Sequence, residues 1–450
     1  VYSIDQSIRF NQADNASMSR TPSSASSRTT WTFSWWWKRG NLSGSTNGTN
    51  QRQPIFGTTA FSILSNHNST QIDGINVVYT GAANDIQTTE KYRDVSAWYH
   101  FVFVLDTTNA VSTERVRLYK NGERITSFAS ITYPSKDTTY TVNNTQAHYI
   151  GLRNSGENLD GYLAEINFVD GLAYGPEFFG ETNDNGIWVP KEYTGSYGTN
   201  GFHIDGRDAS DLGDDESGNG NDFTTSGLAA HDQVADSPTN NFAVMNPLGT
   251  GNGSTISQAT FSNGNLEVSR DSETIADPQA TIVIPASFKC YFEVYNKDGG
   301  TSGDDGNRFS LLDENFLQTG TATYFINYYV SGKTKSTEQA ESSPVTVVAD
   351  GDIVSYAVDI AGGEVKVFIQ GSLVKTFTIG SAYRSLNFFP ASRLITLDSG
   401  FGNHIWNFGQ EGTFAGNITA GGNSDSNGVG NFKYSVPSGF KALCTKNLGS

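Results

Sequence analysis

The feature that most constrains the fold is a pattern of two strands that ends in a tight turn, because it occurs twice in the chain. In the first copy, an apolar arm at residues 101–105 is followed by an alternating arm at 116–119 that ends at Asn121 and Gly122. Alternation with a period of two indicates a strand, and an Asn-Gly pair tolerates the positive φ angles of a hairpin turn. The segment therefore predicts an antiparallel strand pair.

The second copy covers residues 353–371. It has the same order: an apolar strand, an aspartate at Asp359, a short loop, an alternating strand at 365–368 and a Gln-Gly turn. Two copies indicate two domains of related architecture, each with such a strand pair at its centre. A chain of 450 residues is long enough for two or three domains.

Composition favours an almost entirely β chain. Gly (48 residues), Phe (28) and Tyr (20) are frequent, and no apolar pattern with the 3.6-residue period of a helix is sustained. Short strands joined by polar turns produce such a composition. We therefore expect an all-β fold.

The net charge of −17 bears on the partners of the protein. It would repel a nucleic-acid backbone or an anionic membrane, and no cluster of Lys or Arg offsets it. No apolar run approaches the ~20 residues that span a bilayer, and the first ten residues lack the features of a signal peptide. We expect no nucleic-acid partner and no membrane insertion.

The two cysteines, Cys290 and Cys444, exclude a disulfide scaffold and suggest assembly in a reducing compartment. They could lie on adjacent strands of the second domain. We expect buried thiols, which pack like small apolar side chains, and the sequence leaves open whether the two pair.

Residues 31–40 predict a central strand with at least one face in the core. One face is aromatic throughout, and its members are Trp31, Phe33, Trp35 and Trp37. A second predicted strand, at residues 158–171, has two faces by simple alternation. We expect Tyr162, Ala164, Ile166 and Phe168 on one face, and Leu163, Glu165 and Asn167 on the other.

The first half of the chain carries motifs in a specific order, which are SIRFNQADNASMSRTPSS, WTFSWWWKRG, YRDVSAWYHFVFVLDTT, RVRLYKNGERI, YIGLRNSGENLDGYLAEINFVDG, PKEYTGSYGTNGFHIDG, SGNGNDFT and DSPTNNFAVMNP. This series, at about residues 3–248, resembles the laminin-G-like (concanavalin A-like) domain of bacteriophage structural proteins, which are common in marine and cyanobacterial phages. Trp35 departs from the pattern, where a small residue is expected; it is either a core adjustment or an exposed stacking surface.

The second half carries a looser series, which is KCYFEVYNKDG, GDIVSYAVDIAGGEVKVFIQG, SLNFFPASRLIT, HIWNFGQEGTF and VPSGFKALCTKNL. It resembles a SPRY-like domain. Between the two, the composition turns to Gly, Asn, Ser and Thr. We therefore predict a concanavalin A-like sandwich at residues 1–248, a linker with leading strands at 249–285 and a SPRY-like sandwich at 286–450. The resemblance implies two antiparallel jelly-roll sandwiches in tandem.

Catalytic patterns are weak. A retaining glycosidase needs two carboxylates on one face, whereas Asp160, Glu165 and Asp170 are separated by odd numbers of residues and would alternate between faces. The sequence has no G-x-S-x-G nucleophile motif, and its six His show no metal-ligand spacing. We expect a protein that is not an enzyme.

One segment offers a candidate metal site. Asp215, Ser217 and Asn219, followed by Gly220, match the start of an oxygen-rich calcium loop, but Ser226 stands where the closing Glu is needed. Turns rich in Asx and Gly produce the same string without a metal. We expect no cofactor, with calcium at this loop as the alternative.

Aromatic side chains are the candidates for carbohydrate binding, because a sugar ring stacks on an exposed aromatic face. Tyr193 and Tyr197 lie in a Gly- and Thr-rich loop that would not readily bury both rings, and Trp35 and Trp37 are further candidates. The competing interpretation of each is core packing.

The resemblance implies a virion protein, assembled in the host cytoplasm and exposed on the particle. We expect a tail-fibre or receptor-binding component that attaches to host cell-surface glycans, contacts other virion proteins and forms a homo-oligomer, with a trimer favoured. The alternatives are a capsid decoration or head-fibre protein, a tail polysaccharide depolymerase, and a cellular adhesin unrelated to phage. The receptor, the position on the particle and any sequence beyond Ser450 stay open.

Overall fold

The computed structural model describes residues 2–40, 42, 52–65, 73–79, 85–153, 156–248, 259–270, 276–299, 307–316, 322–394 and 402–449. The chain is almost entirely antiparallel β and divides into two compact units, the first ending at Asn240 and the second starting at Asn241. Within the described ranges, no helix is long and apolar enough to cross a membrane.

The strands of the first unit are β1 (Ser7–Phe10), β2 (Ser17–Arg20), β3 (Thr30–Arg39), β4 (Gln53–Gly57), β5 (Ser62–Ser65), β6 (Ile75–Val78), β7 (Ile86–Thr88), β8 (Trp98–Asp106), β9 (Val116–Lys120), β10 (Glu123–Arg124), β11 (Phe128–Ile131), β12 (His148–Ile150), β13 (Gly161–Asp170), β14 (Gly180–Thr182), β15 (Trp188–Pro190), β16 (Phe202–Ile204), β17 (Thr224–Ser226) and β18 (Gln233–Val234). One large sheet has the order β10-β9-β8-β3-β13-β1-β18, with β16 also on β13; the other has the order β11-β7-β6-β5-β4-β12-β2-β17. β14 and β15 form a separate pair. The main apolar core of the unit draws on both large sheets, as expected of a sandwich.

The strands of the second unit are β19 (Met245–Asn246), β20 (Thr260–Ser262), β21 (Glu267–Arg270), β22 (Gln279–Ala280), β23 (Cys290–Asp298), β24 (Arg308–Asp313), β25 (Phe325–Tyr329), β26 (Thr334–Ser336), β27 (Ile353–Asp359), β28 (Glu364–Ile369), β29 (Ser372–Thr378), β30 (Phe388–Arg393) and β31 (Gly402–Asn407). Their sheets have the orders β19-β22-β30-β24-β25-β26 and β20-β21-β31-β23-β27-β28-β29, and a second apolar core draws on both. The prediction of two antiparallel β-sandwich units is confirmed.

Helical segments in the described residues are short. The α-helix with both ends among them is α1 (Thr445–Leu448), and the 3₁₀ turns are Gln12–Asp14, Ser112–Glu114, Pro176–Phe178, Ala230–Asp232 and Ser381–Tyr383.

Both predicted hairpins are present. β8 pairs with β9, and β27 pairs with β28. The predicted turns follow the second strand of each pair and connect β9 to β10 and β28 to β29. There Asn121 and Gln370 have φ angles of 47° and 48°, and the glycine after each is also at positive φ, as a tight two-residue turn requires. Their predicted position at the centre of each domain is wrong, because both pairs lie towards one end of their sheets. Strands that are distant in sequence occupy the middle.

β3 is the central strand that the aromatic pattern predicted. It pairs with β8 on one side and with β13 on the other. Alternate side chains from Trp31 to Trp37 enter the main core, whereas Trp36 packs on the opposite face against Ile4 and Ala164. The strand is therefore buried on both faces.

β13 departs from simple alternation. The register between β3 and β13 shifts after Ala164, and Glu165 adopts a φ angle of 47°. This β-bulge changes the parity of the strand, so that Leu163 shares the core face with Ile166 and Phe168. The predicted faces are corrected accordingly: a single left-handed residue, which the sequence pattern does not indicate, reverses the assignment within the strand.

The region predicted as linker and leading strands, residues 249–285, contains β20, β21 and β22 of the second unit. Its segments 249–258 and 271–275 lie outside the described residues. Cys290 and Cys444 are both buried thiols. Burial raises the pKa of Cys290, and the nearby Cys444 raises it further.

Candidate functional site

The two tryptophans proposed as sugar platforms are core residues. Trp35 and Trp37 are both 0% exposed. The Trp35 ring stacks between Phe33 and Phe101, with centroids 5.0 Å and 5.4 Å away. These two positions are corrected, because neither ring presents a face to a ligand. Of the two interpretations of Trp35, the structure agrees with core adjustment.

Tyr193 and Tyr197 are also buried, at 9% exposure each. Their loop packs on the outward face of the sheet, in a cluster with Val102 and Val169. Tyr197 donates to Asn167 Oδ1 at 2.6 Å, and Tyr193 donates to the carbonyl oxygen of Ser196 at 2.8 Å. The expectation of exposed rings is corrected, because the sheet behind the loop supplies an apolar surface that the composition of the loop does not show.

The carboxylates tested for hydrolysis are engaged by the protein itself. Glu165 accepts hydrogen bonds from Tyr2 and pairs with His203 at 2.9 Å. Asp170 accepts from Asn143 Nδ2 at 2.8 Å and from the amide of Asn200 at 3.0 Å. These contacts tie coil segments and β16 to β13.

The calcium candidate is a closed turn. Asp215 Oδ1 accepts from the amides of His203 and Ser217, and its Oδ2 accepts from Ser217 Oγ and the amide of Asn221. Asn219 turns its amide nitrogen towards two carbonyl oxygens. In the described part of the chain, no group of three or more His, Cys, Asp or Glu side chains could hold a metal. Hydrogen bonds within the protein therefore account for the geometry of the loop, and calcium remains an untested alternative.

The same turn forms one wall of a polar cleft of about 500 Å³ in the first unit. β2, β12 and β17 form its floor, since Tyr149 and Thr224 both pair with Ser19 from opposite sides. The neighbouring Met18 and Ile150 point into the core. Alternation along the strands therefore presents a row of hydroxyl groups and one half-exposed phenol ring to solvent.

Charged and amide side chains lie at the wall of the cleft that the turn forms. Arg20, at the end of β2, donates to the side-chain oxygen of Asn221. Burial lowers the pKa of Arg20, although the carboxylates of Asp215 and Asp222 act against the shift; the guanidinium stays charged at neutral pH. Asp222 is exposed and accepts from the amide of Asp215 at 3.1 Å.

Comparison with known proteins gives one family for part of this unit. Residues 11–173 match the model of the Concanavalin A-like lectin/glucanases superfamily. The match covers the strands from β2 to β13 and therefore two of the three strands that form the floor of the cleft. A search of curated proteins finds no match.

Solved structures show low overall similarity. A human SPRY domain is 14% identical and covers 33% of this chain and 94% of its own, with a TM-score of 0.26. The SPRY domain of human HERC1 is 10% identical over 33% of this chain and 91% of its own, with a TM-score of 0.27. A heptameric SAP-like pentraxin from Limulus polyphemus is 15% identical over 39% of this chain and 80% of its own, with a TM-score of 0.28.

The first unit thus has a cleft with the groups that hydrogen-bond a polyol. Guanidinium, amide, carboxylate and hydroxyl groups line the cleft beside the Tyr149 ring. The volume of the cleft falls within the range of small-molecule sites. Sequence reasoning missed Tyr149, Arg20 and Asn221, since they come from three distant segments. The signal available was limited to Tyr149 itself, an aromatic residue in the short segment AHYIGL at residues 147–152.

Proposed function

We propose that the first unit binds a glycan in the polar cleft without catalysing a reaction on it. The observation that carries this proposal is the juxtaposition of the half-exposed Tyr149 ring with Arg20, Asn221 and Asp222. A ring face takes the apolar side of a sugar, while planar polar groups take pairs of hydroxyls. The description of the matching family includes both lectins and glucanases.

Binding rather than hydrolysis is favoured by the charged groups of the cleft. Among its lining residues, Asp222 is the one carboxylate, whereas glycosidases use two that face the scissile bond. The glycan is therefore expected to leave the site unchanged. No cofactor is needed in this proposal, because the oxygens of Asp215 are used within the turn.

The wider role that we propose is attachment of a phage particle to its host, with the protein on the outside of the virion as part of a tail fibre. The resemblance of the motif series to phage structural proteins supports this role. Glycan affinity at a single site is weak, and linked copies raise it. A homo-oligomer, with a trimer favoured, would supply that multivalency, and other virion proteins would anchor it.

The binding proposal is tested on the whole protein with a glycan array, followed by titration calorimetry with the best oligosaccharide. Tyr149→Ala is expected to reduce affinity about tenfold, since loss of a stacked ring costs on the order of 1–2 kcal/mol. Tyr434→Ala, which removes a half-buried ring from the second unit, is the matched control and should bind normally. Dialysis against EDTA should change nothing.

Three results would contradict this proposal. Equal affinity of the Tyr149 variant and the parent would exclude the cleft. New reducing ends after incubation would establish a depolymerase. Gold-labelled antibody over the capsid of intact particles, instead of the tail, would favour a decoration protein.

A further inference from the structure

A second pocket, of about 290 Å³, lies in the second unit on the outward face of the sheet that contains β30, β24, β25 and β26. Phe309 and Leu311 of β24 enter the core. The alternate residues Arg308, Ser310 and Leu312 therefore face the pocket. One strand thus supplies a cationic, a polar and an apolar group in succession.

The cationic end of the pocket has more positive than negative charge. Across the register, Arg308 lies opposite Tyr329 on one side and Arg393 on the other. Arg393 forms a two-point ion pair with Asp277, at 2.7 Å and 2.8 Å. With Lys335, three cations line the pocket beside a single carboxylate. This local excess contrasts with the net charge of −17 of the whole chain.

Arg308 lies at the cationic end of this pocket. Its guanidinium lies over the Tyr329 ring at 5.4 Å, and its Nη1 donates to the Tyr329 hydroxyl at 3.3 Å. No carboxylate of the described residues forms an ion pair with it, and its buried Nε has no hydrogen-bond partner there. Burial lowers the pKa of Arg308, and the charge of Arg393 lowers it further. Tyr329 and Asp277 act against this shift in part, and a bound anion would act in the same direction as they do.

The rest of the pocket is graded from polar to apolar. Ser310 lies opposite Asn327, which in turn lies opposite Lys335. Two residues further along each strand, on the same face, Leu312 lies opposite Phe325. A ligand that reaches from Arg308 to this end would place hydroxyls beside amide, hydroxyl and ammonium groups, and an apolar edge against the Leu and Phe side chains.

We propose that this pocket binds one acidic sugar residue, with its carboxylate on Arg308 and its ring over Ser310 and Asn327. A guanidinium matches a carboxylate in charge and in fork geometry. The floor of the pocket is a sheet face, where the backbone groups are used in strand pairing and are not available to a peptide terminus. A polyanion such as nucleic acid would be repelled by the rest of the chain.

This second site stands on different residues from the cleft of the first unit, and each can fail alone. The test is titration calorimetry of the whole protein with methyl β-D-glucuronide, with methyl β-D-glucoside as the neutral match. We expect the acidic glycoside to bind at least tenfold more tightly, because a charge-assisted contact contributes about that factor. Inorganic sulfate should compete weakly, since it lacks the ring.

Variants locate the binding. Arg308→Gln should reduce affinity for the glucuronide at least tenfold, and Arg308→Lys should retain part of it, because the charge remains and the fork is lost. Lys91→Gln removes one exposed positive charge from the first unit and should have no effect. Tyr149→Ala, in the first unit, should also leave glucuronide binding unchanged.

Circular dichroism checks that each variant is folded. If Arg308→Gln does not fold, Asn327→Asp replaces it, because a carboxylate at this position should repel the ligand. Four results would each overturn the proposal. They are no binding of the glucuronide, equal affinity for the glucoside, an affinity for sulfate equal to that for the glucuronide, and full glucuronide affinity in the folded variant.

Discussion

In the first unit Lys38 and Asp236 form a buried ion pair at 2.6 Å, whereas in the second unit Glu293 is buried with no cation partner among the described residues. Asp236 also accepts from Trp98 Nε1 at 3.0 Å. Glu293 instead accepts from the Tyr291 hydroxyl at 3.0 Å and from two backbone amides near the end of the chain. Each β-sandwich thus holds a coil segment onto a sheet through a buried carboxylate. The first uses an ion pair and the second uses hydrogen bonds from neutral donors.

The difference predicts different costs of mutation. Removing one member of a buried ion pair leaves the other charge uncompensated, which is expensive. A carboxylate held by neutral donors leaves no opposite charge behind when it is replaced. Burial raises the pKa of Glu293, although its hydrogen-bond donors act against that shift. Replacing Glu293 by a neutral residue therefore also removes the free-energy cost of burying its carboxylate charge.

The largest effect is expected for Asp236→Ala. It should lower the free energy of unfolding of the first unit by about 3–5 kcal/mol, because Lys38 would stay buried without the carboxylate that lies 2.6 Å from it. Urea denaturation followed by tryptophan fluorescence reports on this unit, since all tryptophans except Trp406 lie in it.

Two variants support the interpretation of that result. Asp184→Ala, at an exposed position, should change stability by less than about 0.5 kcal/mol. Adding Lys38→Met to Asp236→Ala should restore part of the loss, because the uncompensated charge is gone. A loss below 1 kcal/mol in the single variant would mean that water reaches Lys38, and the contrast between the units would then fail.

A smaller effect is expected for Glu293→Gln, about 1–3 kcal/mol, since an amide nitrogen would face backbone donors. The loss should be confined to the second unit. Hydrogen exchange read by mass spectrometry should show faster exchange at the amides of Lys433 and Tyr434, which the carboxylate holds at 2.8 Å and 2.9 Å. The tryptophan transition of the first unit serves as the internal control. A loss as large as that of Asp236→Ala would remove the distinction.

The sequence predicts what short-range patterns determine. Alternation located both strand pairs, the Asn-Gly and Gln-Gly turns located the ends of β9 and β28, and the aromatic run located β3. It does not predict the bulge at Glu165, which depends on one residue with positive φ. Nor does it predict that the loop of Tyr193 and Tyr197 is buried, because the apolar surface beneath it comes from other strands.

The two candidate pockets depend on contacts that are even more distant in sequence. Arg20, Tyr149 and Asn221 meet because β2 lies between β12 and β17. Arg308 and Arg393 meet because β24 and β30 pair in a particular register. No local pattern determines which strands become neighbours, and so the sequence pointed to loops while the structure places both candidate sites on sheet surfaces.

The smallest predicted effect concerns the pair of His203 and Glu165, and it depends on pH. Burial opposes both charges, but the contact at 2.9 Å outweighs it, so that the pKa of His203 is raised and the pKa of Glu165 is lowered. A raised His pKa stabilises the fold below the unfolded value of about 6.5, and this stabilisation is lost as pH rises through the folded pKa. A lowered pKa of Glu165 stabilises the fold above about pH 4.3, and that contribution is lost as pH falls.

The stability difference between the parent and His203→Gln should therefore be largest between about pH 4.5 and 6.5, near 1 kcal/mol or below, and should decline above that range. Subtraction cancels the buried His100, His148 and His404, whose pKa values burial lowers to about 3, about 4 and about 3 and which act in the opposite direction on acidification. Urea titrations from pH 5 to pH 9 measure the difference; a difference that is constant with pH would show that His203 is held as a neutral hydrogen-bond donor, which would bring the first unit closer to the arrangement around Glu293.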